Sequence, residues 1–68
     1  MLISDIEELR ACLVEARNAR KVSIRKLAEL TGISPTHIVF IEQGKRVPSF
    51  EIVLKICKAL MVSIDIKI

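Results

Sequence analysis

IRKLAELTGISPTHIVFIEQG, residues 24–44, contains the spacing that decides the fold. Ala28 stands four residues before Gly32, while Ile38 and Ile41 follow that glycine by six and nine residues. A small side chain at Ala28 lets two helices approach each other, and Gly32 can adopt the positive φ that closes a helix. Ile38 and Ile41 lie on one helical face and form a buried stripe. The stretch therefore predicts two short helices that meet at a tight turn.

Polar side chains that can cap a helix mark the starts of four predicted helices. The candidate N-caps are Ser4 or Asp5, then Ser23, Ser34 and Ser49. The first helix is expected to end at about Arg20 and the third near Gln43 or Gly44. Apolar residues that repeat at three and four residues are predicted to face one core. They are Ile6, Leu9, Leu13 and Ala16 in the first helix, Leu27, Ala28 and Leu30 in the second, and Val53, Ile56, Cys57 and Leu60 in the fourth.

The predicted fold class is all-α, with a helical bundle at residues 4–61 and a different pattern at residues 62–68. In this last segment Ile64, Ile66 and Ile68 alternate with polar residues, which is typical of a half-buried strand. A lone strand cannot satisfy its backbone hydrogen bonds. We therefore predict that the segment pairs with the same segment of a second subunit, and that the three isoleucines lie in the dimer interface. A frayed fifth helix is the alternative.

Composition limits both the size and the chemistry of the molecule. Residues 1–68 make one domain at most, and 51% of them are hydrophobic although only 3% are aromatic. A chain of this length buries only about 60% of its unfolded surface, so the aliphatic surplus favours a homodimer. The formal charge of +3 is compatible with a polyanionic partner but is too small to establish one.

Several functional classes are not expected. Cys12, Cys57 and the single histidine, His37, are too few for a structural zinc site, so no metal or cofactor is predicted and the cysteines are interpreted as small apolar residues. The chain lacks a nucleophile–base constellation and a glycine-rich phosphate loop, so it is not expected to be an enzyme. Its apolar runs are shorter than the ~18 residues of a membrane span, and residues 1–4 do not resemble a signal peptide. A cytoplasmic location is expected, and the helix-turn-helix spacing favours duplex DNA as the ligand.

Three motifs carry a family resemblance: LAELTGIS at 27–34, IEQGKRVPS at 41–49 and KICKALMVSI at 55–64. Over residues 9–64 the chain resembles the lambda repressor-like helix-turn-helix family, also called the Cro/CI or XRE family. The resemblance implies that the third helix lies in the major groove of DNA, with the N-terminus of the second helix against a phosphate. It also implies a partly buried, structural ion pair between Arg17 and Glu42.

The same resemblance implies which positions contact bases. They are Pro35, Thr36, His37, Val39 and Phe40. Members of the family often carry Gln, Ser, Arg or Lys where this chain has Pro35, Val39 and Phe40. Few hydrogen-bonding groups would then face the groove, so weak or methyl-directed specificity is expected. His37 is equally compatible with an ordinary surface residue or a pH switch, and Val39 with Phe40 is compatible with a protein interface.

Predicted phosphate contacts flank the second helix and follow the third. They are Arg20, Lys21, Arg25, Lys26, Gln43, Lys45 and Arg46. Positive side chains at the start of a helix oppose its dipole, and a bound phosphate would explain them. A solvated basic face is the alternative.

The function expected from these features is sequence-specific binding of double-stranded DNA by a homodimeric transcriptional regulator that acts as a repressor. The alternative is an antitoxin or adaptor whose main partner is another protein, a toxin for example. HipB-like antitoxins of this family are similar in ending a short helical domain with a dimerising strand. The sequence leaves a toxin operon, a phage and a restriction–modification system open as contexts.

Overall fold

Six elements follow one another in a computed structural model that describes residues 2–3, 5–63 and 65–66. They are β1 (Leu2–Ile3), α1 (Ile6–Ala19), α2 (Ile24–Thr31), α3 (Pro35–Glu42), α4 (Phe50–Leu60) and β2 (Asp65–Ile66). The predicted all-α fold with four helices is confirmed for this part of the chain. None of these helices is long and apolar enough to cross a membrane.

Each helix begins at a side chain that accepts a hydrogen bond from the backbone of its first turn. Asp5 Oδ1 accepts the bond from the Glu8 amide at 2.8 Å, which makes Asp5 the cap of α1. The other predicted cap for this helix, Ser4, lies outside the described residues. The hydroxyls of Ser23, Ser34 and Ser49 accept equivalent bonds of 3.0, 3.1 and 3.2 Å. Such caps are each worth about 1 kcal/mol and fix where the helices start.

The four helices enclose one aliphatic core. α1 packs on α3 and α4, and α2 packs on the same two helices. The buried apolar side chains are Leu13, Ala16, Leu27, Ile33, Ile38, Ile41, Val53, Ile56, Cys57 and Leu60. Both Ile38 and Ile41 are buried as predicted, so α3 is anchored along one face and its opposite face is left outside the core.

Two predicted core positions are wrong. Leu30 is 51% exposed and Ile6 is 44% exposed. In α2 the core-facing position of the last turn is taken by Thr31, whose hydroxyl donates to the Leu27 carbonyl at 2.7 Å and accepts from the Ile33 amide at 3.2 Å. With its hydroxyl satisfied, Thr31 can turn towards the core, and the rotation of the helix leaves Leu30 in solvent.

The turn between α2 and α3 forms as the spacing predicts. Gly32 has a φ of 75°, and its amide donates to the Ala28 carbonyl at 2.8 Å, which closes α2. A β-carbon at Gly32 would meet no atom within 4 Å, so conformation rather than crowding favours glycine there. Ala28 is half-buried and packs against the core.

Both cysteines are free, and they occupy different environments. Cys57 lies in the core, where burial raises the pKa of its thiol. The thiolate is therefore disfavoured, and Cys57 behaves as a small apolar residue. Cys12 is half-buried on α1.

The two short strands pair with each other in parallel, Leu2 opposite Asp65 and Ile3 opposite Ile66. Part of the segment at 62–68 is thus a strand, and the residues of it that the structure describes contain no helix. Its partner is β1 of the same chain, whereas the sequence pattern predicts only a second subunit as partner. Ile64 and Ile68 lie outside the described residues. Pairing of this segment with a second subunit stays a prediction. Because β1 occupies one edge of β2, the second subunit would pair with the other edge.

Candidate nucleic-acid interface

The outward helix α3 is held at its C-terminal end by an ion pair between Arg17 and Glu42. Arg17 Nε donates to Glu42 Oε2 at 2.6 Å and Nη2 donates to Oε1 at 2.9 Å, so the contact is bidentate. Each side chain is only 14% exposed. The hydrogen bond to Glu42 raises the pKa of Arg17, and the guanidinium stays charged despite its burial. A third bond, from Arg17 Nη1 to the Val22 carbonyl at 2.8 Å, ties in the loop before α2.

A second arginine, which sequence reasoning missed, also holds the end of α3. Arg10 Nη1 donates to the Glu42 carbonyl at 3.1 Å, and Arg10 Nε donates to Glu7 Oε2 at 3.3 Å. The available signal was spacing, because Arg10 precedes Arg17 by two helical turns and shares its face of α1. The last turn of α3 is thereby fixed to α1 through both a side chain and a backbone carbonyl.

The face of α3 opposite the core carries most of the predicted base contacts. With 3.6 residues per turn, Thr36, Val39, Phe40 and Gln43 share one side of the helix. Thr36, Phe40 and Gln43 are exposed and Val39 is half-buried. Pro35 is exposed at the first helical position. His37 is half-buried on the flank of α3, further from the middle of this outward face than Thr36 is.

A lysine after α3 contacts the aromatic ring on this face. Lys45 Nζ lies 5.8 Å from the centroid of the Phe40 ring, within the range of a cation–π interaction. The Lys45 amide also donates to the Phe40 carbonyl at 2.9 Å. The structure thus brings one predicted phosphate contact beside one predicted base contact.

Arg25 and Lys26 are exposed in the first turn of α2, which contains no acidic residue. Arg25 also borders a shallow groove with Ser34 and Pro35 at the start of α3. The carboxylate of Glu29 lines the same groove. The exposed cations of Arg25 and Lys26 lie where the helix dipole favours an anion, at the start of α2. Lys21 lies in the preceding loop, exposed, with a φ of 54°.

Arg20 and Arg46, two other predicted phosphate contacts, contact other parts of the fold. Arg20 Nη2 donates to the Met61 carbonyl at 3.4 Å, at the end of α4. Arg46 lines a small pocket with Glu7 and Arg10 beside the first turn of α1. The structure does not bring these two arginines together with Arg25 and Lys26.

The chemistry available on this surface is that of binding. It offers the Thr36 hydroxyl, the Gln43 amide, the His37 imidazole, three apolar side chains and a set of cations around α3 and the start of α2. In the part of the chain that the structure describes, no three His, Cys, Asp or Glu residues are grouped so as to hold a metal ion.

Comparisons with known proteins place the chain among helix-turn-helix proteins. A family model described as "Helix-turn-helix" matches residues 13–67. The chain is 40% identical over 50 residues to two proteins of Mycobacterium tuberculosis, from strains CDC 1551 / Oshkosh and ATCC 25618 / H37Rv, each described as an uncharacterized HTH-type transcriptional regulator. These matches cover 74% of this chain and 36% of each relative, so the chain spans about a third of the length of these curated relatives. No solved structure matches it.

Proposed function

This chain belongs to the lambda repressor-like helix-turn-helix family, and from that premise we propose that it binds double-stranded DNA sequence-specifically as a homodimeric transcriptional repressor. The observation that carries the proposal is the outward face of α3, together with the exposed Arg25 of α2, which borders one groove with Ser34 and Pro35 at the start of α3. The proposal is one of binding, not catalysis. Its setting is the cytoplasm, where such a regulator meets its DNA.

In the proposed complex α3 lies in the major groove and the start of α2 abuts the phosphate backbone. Arg25 and Lys26 contact phosphates there, with support from Lys21, Gln43 and Lys45, and with Arg20 and Arg46 at the margins. Thr36 and His37 contact base edges through hydrogen bonds. Pro35, Val39 and Phe40 contribute apolar contacts.

A twofold dimer through the C-terminal half would place two copies of α3 in successive major grooves, about 34 Å apart. Support for this interface comes from an apolar stripe on α4 formed by Phe50, Leu54 and Met61. These side chains are 65%, 48% and 85% exposed, and they share one face of the helix and its C-cap. A stripe of this kind favours coverage by a partner. The adjoining strand β2 has a neighbour on one edge only among the described residues.

Leu54→Glu is expected to dissociate this dimer, because it would place two carboxylates near the twofold axis of an apolar contact. The measurement is molar mass by light scattering, with one chain contributing 7.6 kDa. Leu30→Glu is the matched control, since Leu30 is a comparably exposed leucine on α2. A chain that ends at Met61 tests the strand separately. If Leu54→Glu remains dimeric the stripe is not the interface, and if the shortened chain does so the strand is dispensable.

Selection of bound sequences from a random duplex pool tests the DNA-binding proposal directly. Thr36→Ala is expected to change the preferred sequence, because it removes a group proposed to contact a base. Arg25→Ala is expected to weaken binding to all sequences alike, because phosphates carry no sequence information. Enrichment of no sequence by the unmodified protein would contradict the proposal.

A second candidate function is that of an antitoxin or adaptor whose main partner is another protein. The exposed apolar stripe on α4 and the apolar centre of the α3 face both favour it, since either could contact a protein. Neighbouring genes distinguish the two functions. A toxin gene beside this one would support the adaptor, whereas phage or restriction–modification genes would support a DNA-binding regulator.

A further inference from the structure

The outward face of α3 is polar at its two ends and apolar in its middle. Thr36 lies in the first turn and Gln43 is the C-cap, and each offers hydrogen-bonding groups. Val39 and Phe40 lie between them on the same side of the helix. A base pair opposite Val39 and Phe40 would therefore face two apolar side chains, with the Lys45 ammonium 5.8 Å from the centroid of the Phe40 ring.

Carbon atoms can distinguish base pairs in the major groove in just one way. The C5-methyl group of thymine is the one apolar substituent that an unmodified base pair presents there, since unmodified cytosine has only a hydrogen at C5. Cytosine that is methylated at C5 presents the same group. An apolar contact therefore rewards a methylated pyrimidine and penalises a base pair whose polar edge it would desolvate.

We propose that Phe40, flanked by Val39, recognises the C5-methyl group of a pyrimidine within each half-site. The inference rests on the proposed function, since it concerns α3 in the major groove. It goes further by naming the residue and the chemical group that set specificity at one position of the site.

The local structure positions Phe40 for this contact. The ring is 38% exposed, so part of it is available and part is packed against the protein. Lys45 lies over the ring, with its ammonium 5.8 Å from the centroid, and its amide is bonded to the Phe40 carbonyl. Because part of the ring is buried, less side-chain entropy is expected to be lost in the complex. Val39 is β-branched and half-buried, so its methyl groups are also held in place.

Uracil substitution supplies the test, because uracil pairs like thymine and lacks only the methyl group. Each thymine in the selected duplex is replaced by uracil in turn, and Kd is measured for the unmodified protein, Phe40→Ala and Gln43→Ala. At one thymine per half-site we expect uracil to weaken binding by the unmodified protein about fourfold, as for one buried methyl, and about 15-fold when both half-sites are changed. Phe40→Ala should bind the thymine and uracil duplexes equally.

Gln43→Ala is the matched control, since it alters the same face and should retain the preference for thymine. If the unmodified protein binds every uracil duplex as tightly as the thymine duplex, the inference is overturned and the proposed function still stands. An unchanged thymine preference in Phe40→Ala would also overturn it, because the methyl group would then be contacted elsewhere. Binding to no duplex at all would refute the proposed function itself. The uracil series on the unmodified protein needs no variant, so the test does not depend on the folding of Phe40→Ala.

Discussion

Glu42→Ala is expected to lower the free energy of unfolding by about 3 kcal/mol, the cost of leaving one partner of a buried ion pair uncompensated. Arg17 would keep its charge and its burial, with each side chain of the pair 14% exposed in the intact protein. It would lose both of the bonds that its Nε and Nη2 atoms donate to the carboxylate. Only the bond to the Val22 carbonyl would remain.

Such a loss is large for a chain of 68 residues, whose total stability is expected to be about 3–10 kcal/mol. Each kcal/mol lost lowers the Tm of a domain this small by about 4–8 °C, so a decrease of about 12–24 °C is expected in a thermal melt followed by circular dichroism. Glu7→Ala is the control. It breaks the ion pair of Arg10 with Glu7, which is exposed to solvent, and should change the Tm little.

Glu42→Ala destabilises the protein in two ways: it removes the contact with Arg17, and it leaves the charge of Arg17 buried alone. The double substitution Arg17→Met with Glu42→Leu removes the contact but leaves no buried charge, so it distinguishes the two effects. Removing both charges avoids the uncompensated guanidinium, so the double variant should be more stable than Glu42→Ala. A Tm for Glu42→Ala within a few degrees of the unmodified protein would show that the pair contributes little to stability.

Joint substitution of Arg25 and Lys26 by alanine is expected to weaken DNA binding by on the order of 10²–10³-fold near 0.15 M salt. A dimer would lose four proposed phosphate contacts, and each contributes about −0.9 to the slope of log K against log salt concentration. The slope should therefore become shallower by about 3.6. Preference among sequences should be unchanged, because phosphate contacts position the protein without specifying bases.

Lys55→Ala with Lys58→Ala is the matched control for net charge. Both double variants lower the formal charge of +3 by two, but Lys55 and Lys58 lie on α4. The control should change the affinity only slightly and the salt slope hardly at all, provided that its molar mass shows an intact dimer. An equal loss in the two double variants would mean that overall charge, not the start of α2, determines affinity.

Features of the fold that depend on local chemistry could be predicted from the sequence. Serine and aspartate caps mark helix starts because a side chain bonds to the backbone three residues later, and a positive φ at Gly32 follows from its place after a helix. The exposure of Thr36 and Phe40 follows from the burial of Ile38 and Ile41 on the other side of α3.

Features that depend on how the helices are rotated and joined could not be predicted in this way. Leu30 fits a helical repeat as well as Thr31 does, and only packing with α3 and α4 decides which of them faces inward. The two residues of β1 are too few to show a strand pattern. The bond from Arg20 to the Met61 carbonyl depends on a left-handed turn after α4, at a φ of 58°, in a residue that is not glycine.

Ile38 and Ile41 are the residues of α3 that enter the core, whereas the positions facing outward make little contact with it. Mutation can therefore alter the outward positions with little loss of thermal stability. Descendants of this chain could acquire new target sites by a few substitutions at positions 36, 39 and 40 while keeping the same scaffold. Selection could then change which DNA sequence the protein prefers without much effect on how stably it folds.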